Sequence, residues 1–446
     1  MSYPPHPPQP YYVPPPPQDL QQGHYQAPQG GYNAPSQPYY QPQPPPQTVF
    51  VQQQPPQKDD TGCCCACRLS LDHQLVLNAA LAHIRLAYVS NRTPHYSTPP
   101  LLVLYTVRKE NPQKPLDQRL LDIANTYFFS MLQPGSAFAY DMLWPVKIEW
   151  FFTSLPNYMS MNTDQAAFYK ERTEPHQQNT FESTPDYELV EKSFADDYSS
   201  QGIKIVSTTD WPETAWMFMR ENPSMRYARD RYRLNHLVQK SDWFWIASQL
   251  LFSRPESGWF SQQLEAYRDI MGGKLELSES LSLWDPQSKR VTPELASKHW
   301  LRIGVRVTSI QERELECLVD HVVNVCQQSQ ASCHVFISAS NRLLLKSIRN
   351  RLNTHQIAVH AVAEGFGFAD LNDLPENNLD HSIFDTDENR LKRDYARTFM
   401  DWIILSRMDY LVGQQSDGFL KTAAWAAQVE TDIHVEGCRI IPMTDW

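Results

Sequence analysis

The stretch ENRLKRDYARTFMDWIILSRMDYLVGQQSDGFLKTAAWAA, residues 388–427, decides how the rest is read. Ile403, Ile404 and Leu405 close a helix whose charges come earlier, on Arg390, Lys392, Arg393 and Asp394. Tyr410, Leu411 and Val412 then form an apolar run too short for a helix, which predicts a buried parallel strand. Gln414 to Gly418 is a polar loop, and Phe419 to Ala427 has the alanine spacing of a packed helix. Ligands of an open α/β sheet bind at the carboxyl ends of its strands. A helix N-terminus at that end offers free N–H groups to a phosphate. Ser416 and Asp417 stand where both the helix cap and that site are expected.

Working backwards, the same alternation begins at Trp300. Leu301–Val307, His334–Ser338 and Ile357–Val362 read as strands, with helices over 311–328 and Asn341–Leu352 between them. Strand and helix alternating four times from 301 to 428 predicts a parallel, doubly wound sheet. An earlier series starts at Pro99. Leu101–Val107 (LLVLYTV) reads as a central strand, Asp117–Leu132 as a helix of 3.6-residue apolar period, and Phe138–Met142 as the next strand. Residues 143–202 read as irregular, Ile203–Ser207 as a further strand, and 211–275 as helical, with Trp243, Trp245 and Trp259 in core packing. The fold class expected is α/β, two Rossmann-like domains behind a disordered tail. The boundaries are 1–67 tail, 68–98 linker, 99–299 N-terminal domain and 300–446 C-terminal domain.

About half of the 35 prolines lie in residues 1–58, among Gln and Tyr and with almost no charge. Such a segment buries too little apolar area to offset its ordering entropy and reads as disordered. Cys63, Cys64, Cys65 and Cys67 follow it. They are too closely spaced for a tetrahedral zinc site and are candidates for acylation, which anchors a chain to a membrane. This tail resembles the small cysteine-rich membrane-anchored tail modules of eukaryotes. Acylation implies a membrane-associated location at the Golgi or cell periphery; otherwise the chain is cytoplasmic. Cys317, Cys326, Cys333 and Cys438 are expected as buried free thiols. A net charge of −11 argues against a general nucleic-acid binder. No paired histidines on a helix suggest a metal site.

Residues 401–425, DWIILSRMDYLVGQQSDGFLKTAAW, resemble the last nucleotide-binding motif of the fucosyltransferase superfamily, in which Asp401, Leu405, Ser406, Asp409, Ser416 and Phe419 match in order. LRIGVRV at 301–307 and LDQRLLDIANTYFFSML at 116–132 stand where that family has two further motifs. The resemblance implies a two-domain GT-B fold and a GDP-sugar donor held by the C-terminal half. It further implies inversion at the anomeric carbon, no metal or other cofactor, and a glycan or glycoprotein acceptor. The chain departs from the pattern at two places. Pro115 and Asp117 replace glycines of the first loop, and an aspartate there repels a diphosphate. Thr308 stands where the phosphate-binding Arg belongs, with Arg306 two residues earlier on the same strand face.

The candidate residues follow. Arg306 is the diphosphate ligand or else a paired charge at a strand end. Ser416, Asp417, Gly418 and Phe419 form a phosphate cradle or an ordinary helix cap. Arg119 lines the cleft or is a surface cation. Ser338 and Ser340 contact the nucleoside or form a plain turn. His360 and Glu364 are candidate base or ribose contacts. Asp141 is the candidate general base. Three functions remain: a divergent inverting glycosyltransferase with fucose as the expected sugar; a catalytically degenerate glycosyltransferase-like binding protein; and a membrane-tethered scaffold that works through its tail. If the tail is an anchor, deleting residues 1–67 moves the protein from the membrane to the soluble fraction of a cell lysate. An unchanged distribution removes the tethering reading.

Overall fold

The computed structural model describes residues 76–82, 101–107, 114–133, 136–142, 145–153, 163–181, 198, 201–212, 214–273, 284–285, 290–291, 300–329, 332–371, 388–435 and 437–443. These lie in one compact unit, residues 64–446. The expected disordered tail and its cysteine cluster lie outside the described residues. Part of the expected linker, 76–82, is helical and buries Leu77, Ala80 and Leu81.

The first sheet is parallel throughout. Strand β1 (Leu101–Val107) is buried at every position, as an interior strand must be. It runs between β2 (Ser136–Met142) and β4 (Ile205–Thr208), with Leu101 opposite Ser136 and Leu102 opposite Ile205. Helix α1 (Leu116–Leu132) crosses from β1 to β2. An edge strand, β3 (Gln178–Phe181), completes the order β2-β1-β4-β3. It and helix α2 (Thr163–Arg172) fall in the stretch expected to be irregular. The sequence QNTF has a single large apolar side chain and so carries no periodic signal.

The second sheet holds β5 (Trp300–Val307), β6 (Ser332–Ala339), β7 (Ala358–His360), β8 (Tyr410–Gln414), β9 (Glu430–Val435) and β10 (Arg439–Pro442). Their order is β7-β6-β5-β8-β9-β10, parallel except for β10. This is the doubly wound order in which the first and fourth strands are neighbours. Helices α4 (Glu312–Gln328) and α5 (Arg342–Thr354) pack on one face, with Ile303, Val305 and Val412 beneath them. Helices α6 (Glu388–Leu405) and α7 (Gly418–Ala427) pack on the other, over Leu411. Alternation along each strand therefore assigns one set of side chains to each face.

One apolar cluster runs from the first sheet to α6 and α7. Helix α3 (Lys240–Leu251) lies in it: Trp243 packs against Phe128 of α1 at 4.6 Å and Phe244 against Trp425 of α7 at 5.9 Å. Phe151 stacks on Phe399 of α6 at 3.9 Å. Trp243 and Trp245 are core residues, as expected.

The free-thiol expectation is corrected. Cys326 at the end of α4 bonds Cys333 at the start of β6, and Cys317 bonds Cys438, with Cα separations of 5.6 and 5.5 Å. The second bridge joins α4 to the β9–β10 turn. The topology alone creates that proximity, across 121 residues of sequence.

Gly304 of β5 is where α6 and β8 close on the sheet. A Cβ there would lie 2.5 Å from Leu411, 2.6 Å from Leu405 and 2.9 Å from Met408. Overpacking of this kind costs about 1–3 kcal/mol. Gly304→Ala is expected to lower the unfolding free energy measured in urea by that amount, with a lower midpoint, whereas Gly365→Ala, which meets nothing within 4 Å, should leave both nearly unchanged. Equal midpoints for the two variants would show that the contact yields freely.

Candidate functional site at the strand ends of the second sheet

Strands β5 and β8 are neighbours whose following helices leave on opposite faces, so their carboxyl ends form the switch point of the sheet. Arg306 sits there, on the face that carries Gly304 and packs against α6 and α7. It is 9% exposed. Its Nη1 donates to Ser338 Oγ at 2.9 Å, and Ser338 Oγ donates to Asp401 Oδ2 of α6 at 2.7 Å. Its Nε lies 3.4 Å from Asp417 Oδ2, and its guanidinium carbon 4.3 Å above the Phe419 ring. Arg397, one turn before Asp401, stacks on Phe368 at 4.0 Å and donates to the carbonyls of Val362 and Ala363. Cations and carboxylates thus alternate along the buried line Asp417, Arg306, Asp401, Arg397. Asp401 is nonetheless pushed up to about 6, because burial outweighs Arg397, Ser338 and Arg306.

Asp417 also caps α7, accepting from Leu420 N at 3.1 Å. Its cap role and its ion pair use different oxygens. The first turn of α7 meets the first turn of α1: a Cβ on Gly418 would lie 2.1 Å from Asp117 Oδ2. Any larger residue would have to push the Asp117 carboxylate aside. Asp117 is pushed up to about 6, first by burial and then by the nearby Asp417 and Asp370, against hydrogen bonds from its own amide and that of Gln118. Two helix N-termini and one arginine thus converge on two aspartates. The chain supplies its own anions at the place where an anion site was expected.

The structure brings together Arg306, Ser338, Asp417, Gly418 and Phe419. Gln415 and Ser416 are exposed at the lip. Ser338 is fully buried and relays between Arg306 and Asp401, whereas Ser340 donates to the Thr308 carbonyl at the end of β5. Gln414 accepts from Thr308 N at 2.9 Å, closing the same strand end. Arg119 is 1% exposed, not a surface cation. Its Nε donates to the Lys114 carbonyl and its Nη2 to that of Leu371, and burial lowers its pKa. These bonds tie α1 to the segment before it and to Leu371. Asp141 lies on β2 opposite Thr106, and its side chain is outside the described residues. His360 meets His334 at 3.1 Å, and Glu364 is exposed. Arg397 and Asp370 were missed. A signal for the former existed: Asp401 interrupts the apolar run FMDWIIL, and a charge buried there needs a cation in reach, one turn away.

The chain is similar to several solved structures. An Arabidopsis thaliana FUT1 mutant in complex with GDP shares 12% identity, covering 83% of this chain and 80% of that one, with a TM-score of 0.44. The Bradyrhizobium fucosyltransferase NodZ shares 11% identity over 79% of this chain and all of that one, with a TM-score of 0.45. POFUT1 in complex with GDP-fucose shares 10% identity over 74% and 95%, with a TM-score of 0.39. No protein-family profile and no curated protein sequence matches the chain.

Asp117 binds its proton more tightly folded, near 6, than unfolded, near 3.8. Its ionisation therefore costs stability above pH 6, and the cost fades as pH falls from 6 to 4. Asp117→Asn is expected to raise stability at pH 7.5 by up to about 3 kcal/mol and to change it little at pH 4. Denaturation at both pH values measures this. A variant less stable than wild type at pH 7.5 contradicts the like-charge crowding at Gly418.

Proposed function

We propose that this chain is a divergent GDP-sugar glycosyltransferase whose donor diphosphate sits at the first turn of α7. One observation carries the reading: Arg306, the Phe419 ring and the amides opening a ten-residue helix converge at the switch point of a doubly wound sheet. The arrangement suits charge that develops on a departing diphosphate, since fixed donors stabilise it without reorganisation. Arg306 offers a planar fork for phosphate oxygens. Guanine and fucose come from the resemblance of residues 401–425 to the fucosyltransferase motif. Transfer proceeds by direct displacement: an acceptor hydroxyl of a glycan or glycoprotein attacks the anomeric carbon as its bond to the diphosphate breaks. Asp141 is the proposed proton acceptor.

A diphosphate must compete with Asp417 for Arg306 and with Asp117 for Gly418. Asp117, near 6, is neutralised by mild acid, so donor binding strengthens as pH falls through that value. The two disulfides support an oxidising lumen or the cell exterior as the place where the fold works. Acylation of Cys63, Cys64, Cys65 and Cys67 remains the proposed route to membrane attachment. Among the described residues no helix is long and apolar enough to cross a membrane.

A second reading, a glycosyltransferase-like binding protein without transfer, is favoured by the same Asp417 and Asp117. They already neutralise the cation and the helix end. Titration calorimetry with GDP and GDP-fucose, at pH 5.5 and 7.5, separates the readings. Wild type is expected to bind on the order of tenfold more tightly at pH 5.5, and Asp117→Asn to gain a similar factor at pH 7.5. GDP release in the presence of glycan acceptors supports transfer, and binding without release supports the second reading. No heat with either ligand, at either pH and in either protein, removes the donor site.

A further inference from the structure

Away from this site, the Cys317–Cys438 bridge stands beside a buried imidazole. His434 on β9 is 5% exposed, and its Nε2 has no hydrogen-bond partner. A buried polar atom left in this state is costly. A ring nitrogen of His434 and both sulfurs lie within 4.8 Å of one another. Among the described residues this is the one trio of His, Cys, Asp or Glu so gathered.

The surroundings fix the three positions. Cys317 and His321 lie one turn apart on α4, and Asp432 and His434 two residues apart on β9. His321 Nε2 meets Asp432 Oδ2 at 2.7 Å, and the Tyr410 hydroxyl donates to the same oxygen. This polar rung joins α4 to β9 beside the disulfide. Cys438 comes from the β9–β10 turn, where it and Gly437 both have positive φ, 63° and 77°.

We propose that Cys317, Cys438 and His434 are a redox-gated site for a thiophilic divalent cation, of which zinc is the type. A dithiol reductant delivers two electrons to the S–S bond, which breaks. Each sulfur takes a proton, and the reductant leaves as its own disulfide. Zinc then displaces both thiol protons and binds two thiolates and a ring-nitrogen lone pair of His434, leaving a fourth position to water. Two thiolates on one zinc lie about 3.8 Å apart, given Zn–S bonds of about 2.3 Å. The trio spans little more than that. The cross-link between α4 and the hairpin thus survives in either redox setting: sulfur to sulfur when oxidised, through the cation when reduced.

The test uses the full chain with Cys63, Cys64, Cys65 and Cys67 changed to serine, so that the tail contributes no thiolates. The protein is reduced with a phosphine, freed of it without air, and given Zn2+ or, as a spectroscopic probe, Co2+. Expected are one zinc per chain after reduction and none before, a thiolate-to-cobalt charge-transfer band, and alkylation of Cys317 and Cys438 slowed at least tenfold by zinc. His434→Gln should weaken zinc binding by about 10- to 100-fold or more. Its oxidised form should still carry the Cys317–Cys438 bond and melt cooperatively, which shows that it folds. Changing Cys326 and Cys333 to serine should leave zinc uptake unchanged. The proposal is overturned by no uptake after reduction, by equal affinity in His434→Gln, by uptake in the oxidised chain, or by loss of uptake in the Cys326/Cys333 variant.

Discussion

A guanidinium cannot leave water without an anion to meet it, and Arg306 is nine-tenths buried. Asp417 lies on one side of it; Ser338 and behind it Asp401 lie on the other. Those partners come from β6, α6 and the loop before α7, so this cation fixes how three elements sit on the carboxyl end of β5. Asp401 in turn sits deep in an apolar helix because Arg397 and Ser338 share its charge. Removing Arg306 would leave Asp417 without its cation and Asp401 with Arg397 and Ser338 alone.

The same neutrality shapes the functional reading. The proposed donor diphosphate would bring negative charge to a place where Asp417 and Asp117 already stand against an arginine and two helix N-termini. The site is built of the right groups and is filled by its own chain. On that proposal, occupancy would require carboxylate protonation or movement, and Asp117, crowded by burial and by Asp417, is the group it turns on. The join between α1 and α7 is otherwise apolar: α3 inserts Trp243 and Phe244 between them, and this cluster continues to α6.

The strongly periodic segments were legible. LLVLYTV is a fully buried strand, the helix from 116 is amphipathic, and the helix–strand–loop–helix run at 388–427 forms α6, β8 and α7. Asp417 was legible as a cap and is one. Strands β9 and β10 were not read: ETDIHV alternates as a strand does, but it is short and follows directly on a helix. The disulfides were not read either: Cys326 and Cys333 are only seven residues apart but read as core thiols, and Cys317 and Cys438 meet only through the fold, across 121 residues.

By itself the sequence determined the parallel α/β class, the place of the switch point and the residues available there. Those follow from local apolar period and turn chemistry, which act within a few residues. The tertiary structure decided what these residues do. Whether Arg306 awaits a ligand or already holds Asp417, whether Asp117 faces solvent or presses on Gly418, and whether Cys317 is a thiol or half of a bridge are set by contacts between segments far apart in the chain. Electrostatic pairing acts through space, and only the packed sheets bring those charges within a few ångströms of one another.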